Sequence, residues 1–579
     1  MRATRTAGWM LCACVFAAAM GIESRAEVKL AGVIGDGMVL QRDKPVAIWG
    51  SAKPGEHVKV EFAGQSKEAV ADAAGAWSVQ LSPLSVSATP QVMTVTGENT
   101  IEVKDILVGE VWLASGQSNM DFAMGGMGGM GGMGGPGGQS GPGGAPPNGQ
   151  GGGAQGGPSG GPPTGQAAGG NVAPGGAPGA SPSGAPSGGQ VGGPGGAAGS
   201  PPSMGGQGGP GGPGGSGAPA AMPETKIPER MTKDLANSGD PEIRVFRVSP
   251  NGGPGALQGP GKMSGWLAAS PDSLKGFSAV AYYFARKVHQ EIKVPIGIIQ
   301  SSIGATAIEP WTPIEEYQNS AVFKAEYAAG KVQTDNQFPG TDYIAMIKPL
   351  VPFTLRGFLW YQGETNCDRN DKRYTEKMRL LIEGWRRAWS DNDLSFYYVQ
   401  LAPFAHSTSP MGKPFGTNAD TGPECWEQQT KALSIPNTGM AVITDTVEDV
   451  NNVHPPDKWD VGERLTLIAL AKDYGRKDVV FSGPMYKSMK IVGNEAHLSF
   501  DYLGGGLISR DGKPLTYFTI AGADGKFYPA DARIVGDEVI VSSSSVTSPT
   551  AVRFAWNEIA QPNFFNKAGL PAVPFRTGP

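Results

Sequence analysis

Between Val28 and Lys104 short apolar runs alternate with turn residues: Met38-Val39-Leu40, Val46-Ala47-Ile48-Trp49, Val58-Lys59-Val60-Glu61-Phe62, Trp77-Ser78-Val79-Gln80-Leu81 and Val92-Met93-Thr94-Val95. Lys53-Pro54-Gly55-Glu56 and Ala73-Ala74-Gly75-Ala76 separate some of them as turns. Strands of this length and spacing predict an N-terminal β-sandwich module over residues 27–105, with Trp49 and Trp77 in its core. From Leu107 the pattern tightens into one buried strand, Leu107-Val108 and Val111-Trp112-Leu113, which ends in the small polar turn Gly116-Gln117-Ser118-Asn119. A serine on such a corner is presented to ligand rather than packed, which makes Ser118 the candidate nucleophile. As a lone tetrapeptide the same residues read equally as a strand-ending turn.

Beyond residue 223 strands and helices alternate. Ile243–Val248 reads as a strand, Ser273–Ile292 as a helix with Phe277, Val280, Phe284, Val288 and Ile292 on one face, and Val294–Ile299 as a fully apolar strand. Phe358–Tyr361, Phe396–Val399 and Met440–Ile443 repeat the strand type, with helices at Thr375–Trp389 and Asp457–Tyr474, the latter closed by Gly475. Such alternation implies an α/β fold on a doubly wound parallel sheet, whose ligands bind past the carboxyl ends of the strands. The esterase-type domain is expected over 106–123 and 223–475. Met489–Val492, His497–Phe500, Val539–Val541 and Ala551–Phe554 then predict a C-terminal β-region over 476–579, from which Asn563–Asn566 could reach the site or a neighbouring chain.

Composition adds three features. Residues 1–26 carry Arg2 and Arg5, an apolar stretch from Trp9 to Met20 and a small-residue end at Ala26, the outline of a secretory signal peptide. The expected location is therefore periplasmic or secreted, with Leu11, Ala13 and Cys14 as a poor lipid-attachment alternative. No later run is apolar enough to span a membrane. Residues 124–222 hold 44 of the chain's 88 glycines and no charged or aromatic residue, so a disordered insertion is expected there. After removal of the signal only Cys367 and Cys425 remain, and the sequence leaves open whether they pair. A net charge of -5 gives no case for nucleic acid.

Four blocks carry the chemistry: Gly116-Gln117-Ser118-Asn119-Met120; Ser302-Ile303-Gly304-Ala305-Thr306 with Glu309 and Trp311; Trp360-Tyr361-Gln362-Gly363-Glu364-Thr365-Asn366; and Val453-His454-Pro455 with Lys458, Gly462, Glu463 and Arg464. Together, and in this order, they resemble the sialate O-acetylesterase family of SGNH-type hydrolases. The resemblance implies an SGNH-like sheet and a serine esterase acting on O-acetyl groups of carbohydrate. Similar proteins deacetylate plant polysaccharides, so sialic acid is not implied as the substrate.

A serine hydroxyl needs a base. Five histidines are available: His57, His289, His406, His454 and His497. His406 and His454 both sit on loops after strands; the resemblance favours His454, whose loop is stiffened by Pro455-Pro456. The third triad member departs from the family pattern. Where SGNH hydrolases usually carry aspartate, three residues before the histidine, or in related esterases two, this chain has Asn451 and Asn452, which can orient an imidazole but not balance its charge. Asp449, Glu448, Asp445 and Glu364 are alternative orienting residues, and Glu364 reads equally as a structural brace. For the oxyanion, the candidates are the N–H groups of Ser118 and Gly304 and a side-chain amide from Gln362 or Asn366, Gly304 being favoured by the resemblance. No metal-ligand spacing appears, and no cofactor is expected. The expected partner is an acetylated carbohydrate; oligomeric state is left open. The competing reading is a non-catalytic carbohydrate-binding or surface-assembly protein on a hydrolase scaffold.

Overall fold

A computed structural model describes residues 27–126, 227–252, 259–333 and 337–578. The signal-peptide reading at 1–26 and residues 127–222 of the expected insertion lie outside them. Seven strands form the central path: β1 (Thr100–Gly116), β2 (Asp240–Ser249), β3 (Lys262–Ala269), β4 (Ile296–Ser302), β5 (Gly357–Tyr361), β6 (Ser395–Val399) and β7 (Thr438–Ala441). Their order is β3-β2-β4-β1-β5-β6-β7. All neighbours run parallel except β3 against β2.

Strand residues alternate between two apolar layers, because successive side chains leave opposite faces of a sheet. Leu113, Ile299, Phe358, Trp360, Phe396 and Tyr398 join one core with Met378, Leu381, Ile382 and Trp385 of helix α4 (Tyr374–Ala388). Trp112, Ala114, Ile298, Leu359, Tyr361 and Tyr397 join the other with α2 (Ala279–Ile292) and α5 (Trp459–Lys472). Both faces are therefore covered, which is why these strands read as continuous apolar runs.

The strand β1 crosses the boundary expected at 105/106. Its first half pairs with Ser87–Thr96 and, in parallel, with Val39–Gln41; its second half is the middle of the central sheet. The first apolar core likewise runs without a break from Val46, Trp77 and Leu81 to Phe358 and Trp385. Glu110, fully buried midway along β1, binds this junction: Arg42 Nε and Arg356 Nε donate to it at 2.6 and 2.7 Å, and Gln41 Nε2 at 3.0 Å.

Two further differences have local causes. The helix expected over Ser273–Ile292 is two helices, Pro271–Lys275 and Ala279–Ile292, because Ser278 restarts the second by accepting from Ala281 N. At the start of the expected insertion, Met124 is buried, its N–H donating to Phe277 O at 2.9 Å, so packed chain extends to residue 126. In the C-terminal region Phe564–Asn566 pairs with Leu507–Ser509 and is buried, Phe564 in that region's own core. Arg576–Glu427 and Arg510–Asp445 ion pairs join the region to the central part. Among the described residues no helix is long and apolar enough to cross a membrane.

One buried group works against the fold. Asp342 is fully buried, and neither carboxylate oxygen has a well-formed hydrogen bond among the described residues; the adjacent Thr341 hydroxyl donates to Phe338 O and offsets only part of the burial. Burial raises its pKa from 3.8 to about 7. Because the folded pKa is raised, the cost is absent below pH 3.8, grows as pH rises, and is complete above about 7. Asp342→Asn is expected to stabilise the protein by roughly 2–4 kcal/mol at pH 8 and by much less at pH 4.5, read by urea unfolding.

Candidate active site

The loops after β1, β4 and β5 emerge side by side because these strands are neighbours, and the long loop after β7 returns across them. The corner after β1 depends on Gly116. Its φ is 140°, and a Cβ there would lie 2.1 Å from Tyr361 O, so β1 and β5 stay together to their ends only without a side chain. Gln117 N then donates to Tyr361 O at 3.0 Å, and the short helix α1 (Ser118–Asp121) begins. Asp121 pins this turn to β4, accepting from Gln300 Nε2 at 2.8 Å and Ser302 Oγ at 3.0 Å, and from Arg247 at 3.3 Å.

Ser118 Oγ and His454 Nε2 lie 2.7 Å apart, across 336 residues of sequence. Both side chains are largely buried. Burial, with the Lys458 charge as second cause, pulls the His454 pKa from 6.5 to about 4, so at neutral pH the ring is uncharged and Nε2 can accept the serine proton. His406 is turned elsewhere: Nδ1 is 2.8 Å from Asp368 Oδ1, and Nε2 is 3.6 Å from Cys367 Sγ. Cys367 is bonded to Cys425, which settles the pairing that the sequence leaves open.

None of the orienting candidates reaches the imidazole among the described residues. Asn452 Oδ1 accepts the backbone N–H of His454 at 2.9 Å, and Asn451 Nδ2 donates to Asp449 at 3.1 Å. Asp445 is taken by Arg464 and Arg510. Glu364, buried, accepts from Asn119 Nδ2 at 2.5 Å; burial raises its pKa despite that bond and the nearby Lys458.

Gly304 adjoins the serine: a Cβ on it would sit 3.6 Å from Ser118 Cβ. Neither Ser118 N nor Gly304 N donates to another backbone group among the described residues. The two amides suggested for the oxyanion face inward. Gln362 Nε2 donates toward Asn366 Oδ1, Thr306 O and Gln117 Oε1 at 2.9–3.2 Å, and Asn366 Nδ2 toward Glu309 and Asp371 at 3.1 Å. Behind them lies a polar cavity of about 190 Å³ lined by Glu309, Asn366, Asp371, Arg373 and Lys377; neither Ser118 nor His454 borders it. Among the described residues no group of three or more His, Cys, Asp or Glu is arranged to hold a metal.

The model of the family described as carbohydrate esterase, sialic acid-specific acetylesterase, matches residues 264–465. Sialate O-acetylesterases of Pongo abelii and Homo sapiens are each 28% identical over 373 residues, covering 59% of this chain and 70% of their own. A carbohydrate acetylesterase of Xanthomonas citri, known by its crystal structure, is 31% identical, with a TM-score of 0.69 over 95% of this chain and 99% of that one. The chain belongs to the sialate O-acetylesterase family. It is a carboxylic ester hydrolase. The family match spans Gly304, Gln362, Asn366 and His454 but begins after Ser118, which lies on the far side of the glycine-rich stretch.

Within this sialate O-acetylesterase fold the sequence reading left Asn119 and Lys458 without a role. Lys458 is fully buried, its Nζ donating to Asn119 Oδ1 at 2.6 Å and lying 5.0 Å from the Phe122 ring centroid and 5.3 Å from that of Tyr361. Burial lowers its pKa to about 7, against the pull of Glu364 and Asp457. The available signal was their presence inside two of the four blocks; periodicity is silent, because both residues stand at the first turn of a helix.

Proposed function

We propose that the chain is an exported serine esterase that removes O-acetyl groups from carbohydrate, on an SGNH-type doubly wound scaffold, through Ser118 and His454. The observation that carries this reading is the 2.7 Å approach of Ser118 Oγ to His454 Nε2. Ser118 Oγ attacks the acetyl carbonyl as Nε2 takes its proton. The oxyanion forms opposite the N–H groups of Ser118 and Gly304, while Gln362 and Asn366 hold the surrounding loops. His454 returns the proton to the sugar oxygen as the ester C–O bond breaks, leaving an acetyl-serine. Water, losing its proton to His454, then releases acetate and restores the serine. In this reading the aminoterminal 26 residues direct export.

The imidazolium formed in each half-reaction has no carboxylate on Nδ1 among the described residues, so the centre works as a dyad whose imidazole is held through its backbone. Acetate release from a panel of O-acetylated sialic acids and O-acetylated plant and bacterial polysaccharides tests the reading. Turnover of at least one class is expected. Sugar binding without acetate release on any member would replace the esterase with a carbohydrate-binding protein.

A further inference from the structure

Asn119, the residue after the serine, uses both N–H groups and the carbonyl oxygen of its side chain. Nδ2 donates to Glu364 Oε1 at 2.5 Å and to Val453 O at 2.9 Å, and Oδ1 accepts from Lys458 Nζ at 2.6 Å. These partners come from three separate segments: helix α3 (Glu364–Asp368) after β5, the loop that carries His454, and the residue just before α5. Only one orientation of the amide fits, because Val453 O can only accept and so faces Nδ2, which leaves Oδ1 toward Lys458. Val453 immediately precedes His454, and the His454 N–H is itself held by Asn452 Oδ1 at 2.9 Å.

Resting on the Ser118–His454 reading above, we propose that Asn119 is the positioning residue for His454, a single buried amide that ties the histidine loop to the serine helix, with Lys458 and Glu364 locking that amide in its one working orientation. The arrangement fixes the place of the histidine loop through the backbone on the N-terminal side of His454 and leaves the charge of the imidazolium to be borne without a carboxylate on Nδ1. An amide placed one residue from the nucleophile and bonded one residue from the base leaves little freedom in the Oγ–Nε2 separation. A misplacement of about 1 Å at such a centre costs on the order of 100-fold in rate.

The same geometry gives Lys458 a second effect, on the charge of His454. The charged and titratable groups around the pair are Glu364 from α3 and Asp457 from the preceding turn; Asp445, Asp460 and Arg464 act on Asp457, and His406 acts on Glu364. Lys458 is the charge that adds to burial in holding the His454 pKa down.

The test compares Asn119→Ala, Asn119→Asp and Lys458→Met with Ser118→Ala in the full-length protein, using p-nitrophenyl acetate across pH 3.5–9 and thermal unfolding as a check of folding. Asn119→Ala and Asn119→Asp are expected to lower kcat by about 10- to 100-fold with KM changed less than about threefold. Lys458→Met is expected to move the acid limb of kcat/KM upward from near 4 toward 6.5, a displacement that simple loss of folded protein does not produce. Wild-type kcat in the folded Asn119 variants, alongside an inactive Ser118→Ala, would overturn the positioning role and leave the Ser118–His454 reading intact, and an unmoved acid limb in Lys458→Met would remove only the effect of Lys458 on the charge of His454. Full activity in Ser118→Ala would remove both. If neither Asn119 variant folds, kcat of folded Lys458→Met decides, because Lys458 holds the Asn119 carbonyl: a loss of about 10-fold or more with KM little changed supports the positioning role, and wild-type kcat overturns it.

Discussion

Replacing Ser118 with alanine is expected to lower acetyl-ester hydrolysis by about 100,000-fold while leaving the unfolding transition within about 1 kcal/mol of wild type. The hydroxyl lies 2.7 Å from a neutral imidazole, and without it no acetyl-enzyme can form. His454→Ala is expected to cost a comparable factor, and the double replacement little more than either alone, because the two groups act as one unit in the same proton transfer. Acetate release measured for the two single variants and the double variant checks this; multiplicative losses would mean that the groups act independently. The pH dependence has a defined sign. The base must be uncharged, and its pKa is lowered to about 4, so kcat/KM is expected to hold through mildly acidic pH and to fall only as pH drops through about 4. An acid limb near 6.5 would show that burial and Lys458 do not act on the ring as the geometry requires.

The second large effect concerns the fold rather than the chemistry. Glu110→Ala is expected to destabilise the protein by about 3–5 kcal/mol, since it leaves Arg42 and Arg356 partly buried without their shared carboxylate. Burial alone would raise the Glu110 pKa, but Arg356, Gln41 and Arg42 outweigh it, and the net shift is downward from 4.5. With the folded value depressed, the contribution is present above pH 4.5 and is lost as pH falls through the lower folded value. Urea unfolding at pH 7 measures the difference. A change under 1 kcal/mol would mean that the two arginines find other partners once the carboxylate is gone.

Much of the architecture could be read from apolar runs alone. Phe358–Tyr361 and Phe396–Val399 are unbroken apolar runs because they are covered on both faces, and they occur within β5 and β6. The break before α2 was hidden because Gly276, Phe277 and Ser278 do not interrupt the helical spacing of Val280, Phe284 and Val288; the stop lies in a serine cap, which competes with helix only once the chain has turned. The sharing of β1 between two sheets was equally invisible, since pairing partners are long-range. At the site, the Ser118 and His454 blocks pointed to side chains that the structure brings together. The orienting partner was not legible: Asn451, Asn452 and Asp449 are close in sequence, but their bonds go to one another and to the backbone. Lys458 stands in the fourth block with no role that the sequence assigns, and its setting comes from Phe122 and Tyr361, whose rings lie against its buried ammonium.

The point at which the chain departs after the serine helix has its own consequence. Met124 and Gly125 are bonded to Phe277 and Lys275, and a Cβ on Gly126 would fall 2.6 Å from Ile227 Cγ1, so the departing and returning strands of the polypeptide touch. Ile227 in turn packs against the core of the esterase itself. Ser118, a few residues upstream, is thus held in place by contacts of Met124 to Gly126 with Lys275, Phe277 and Ile227.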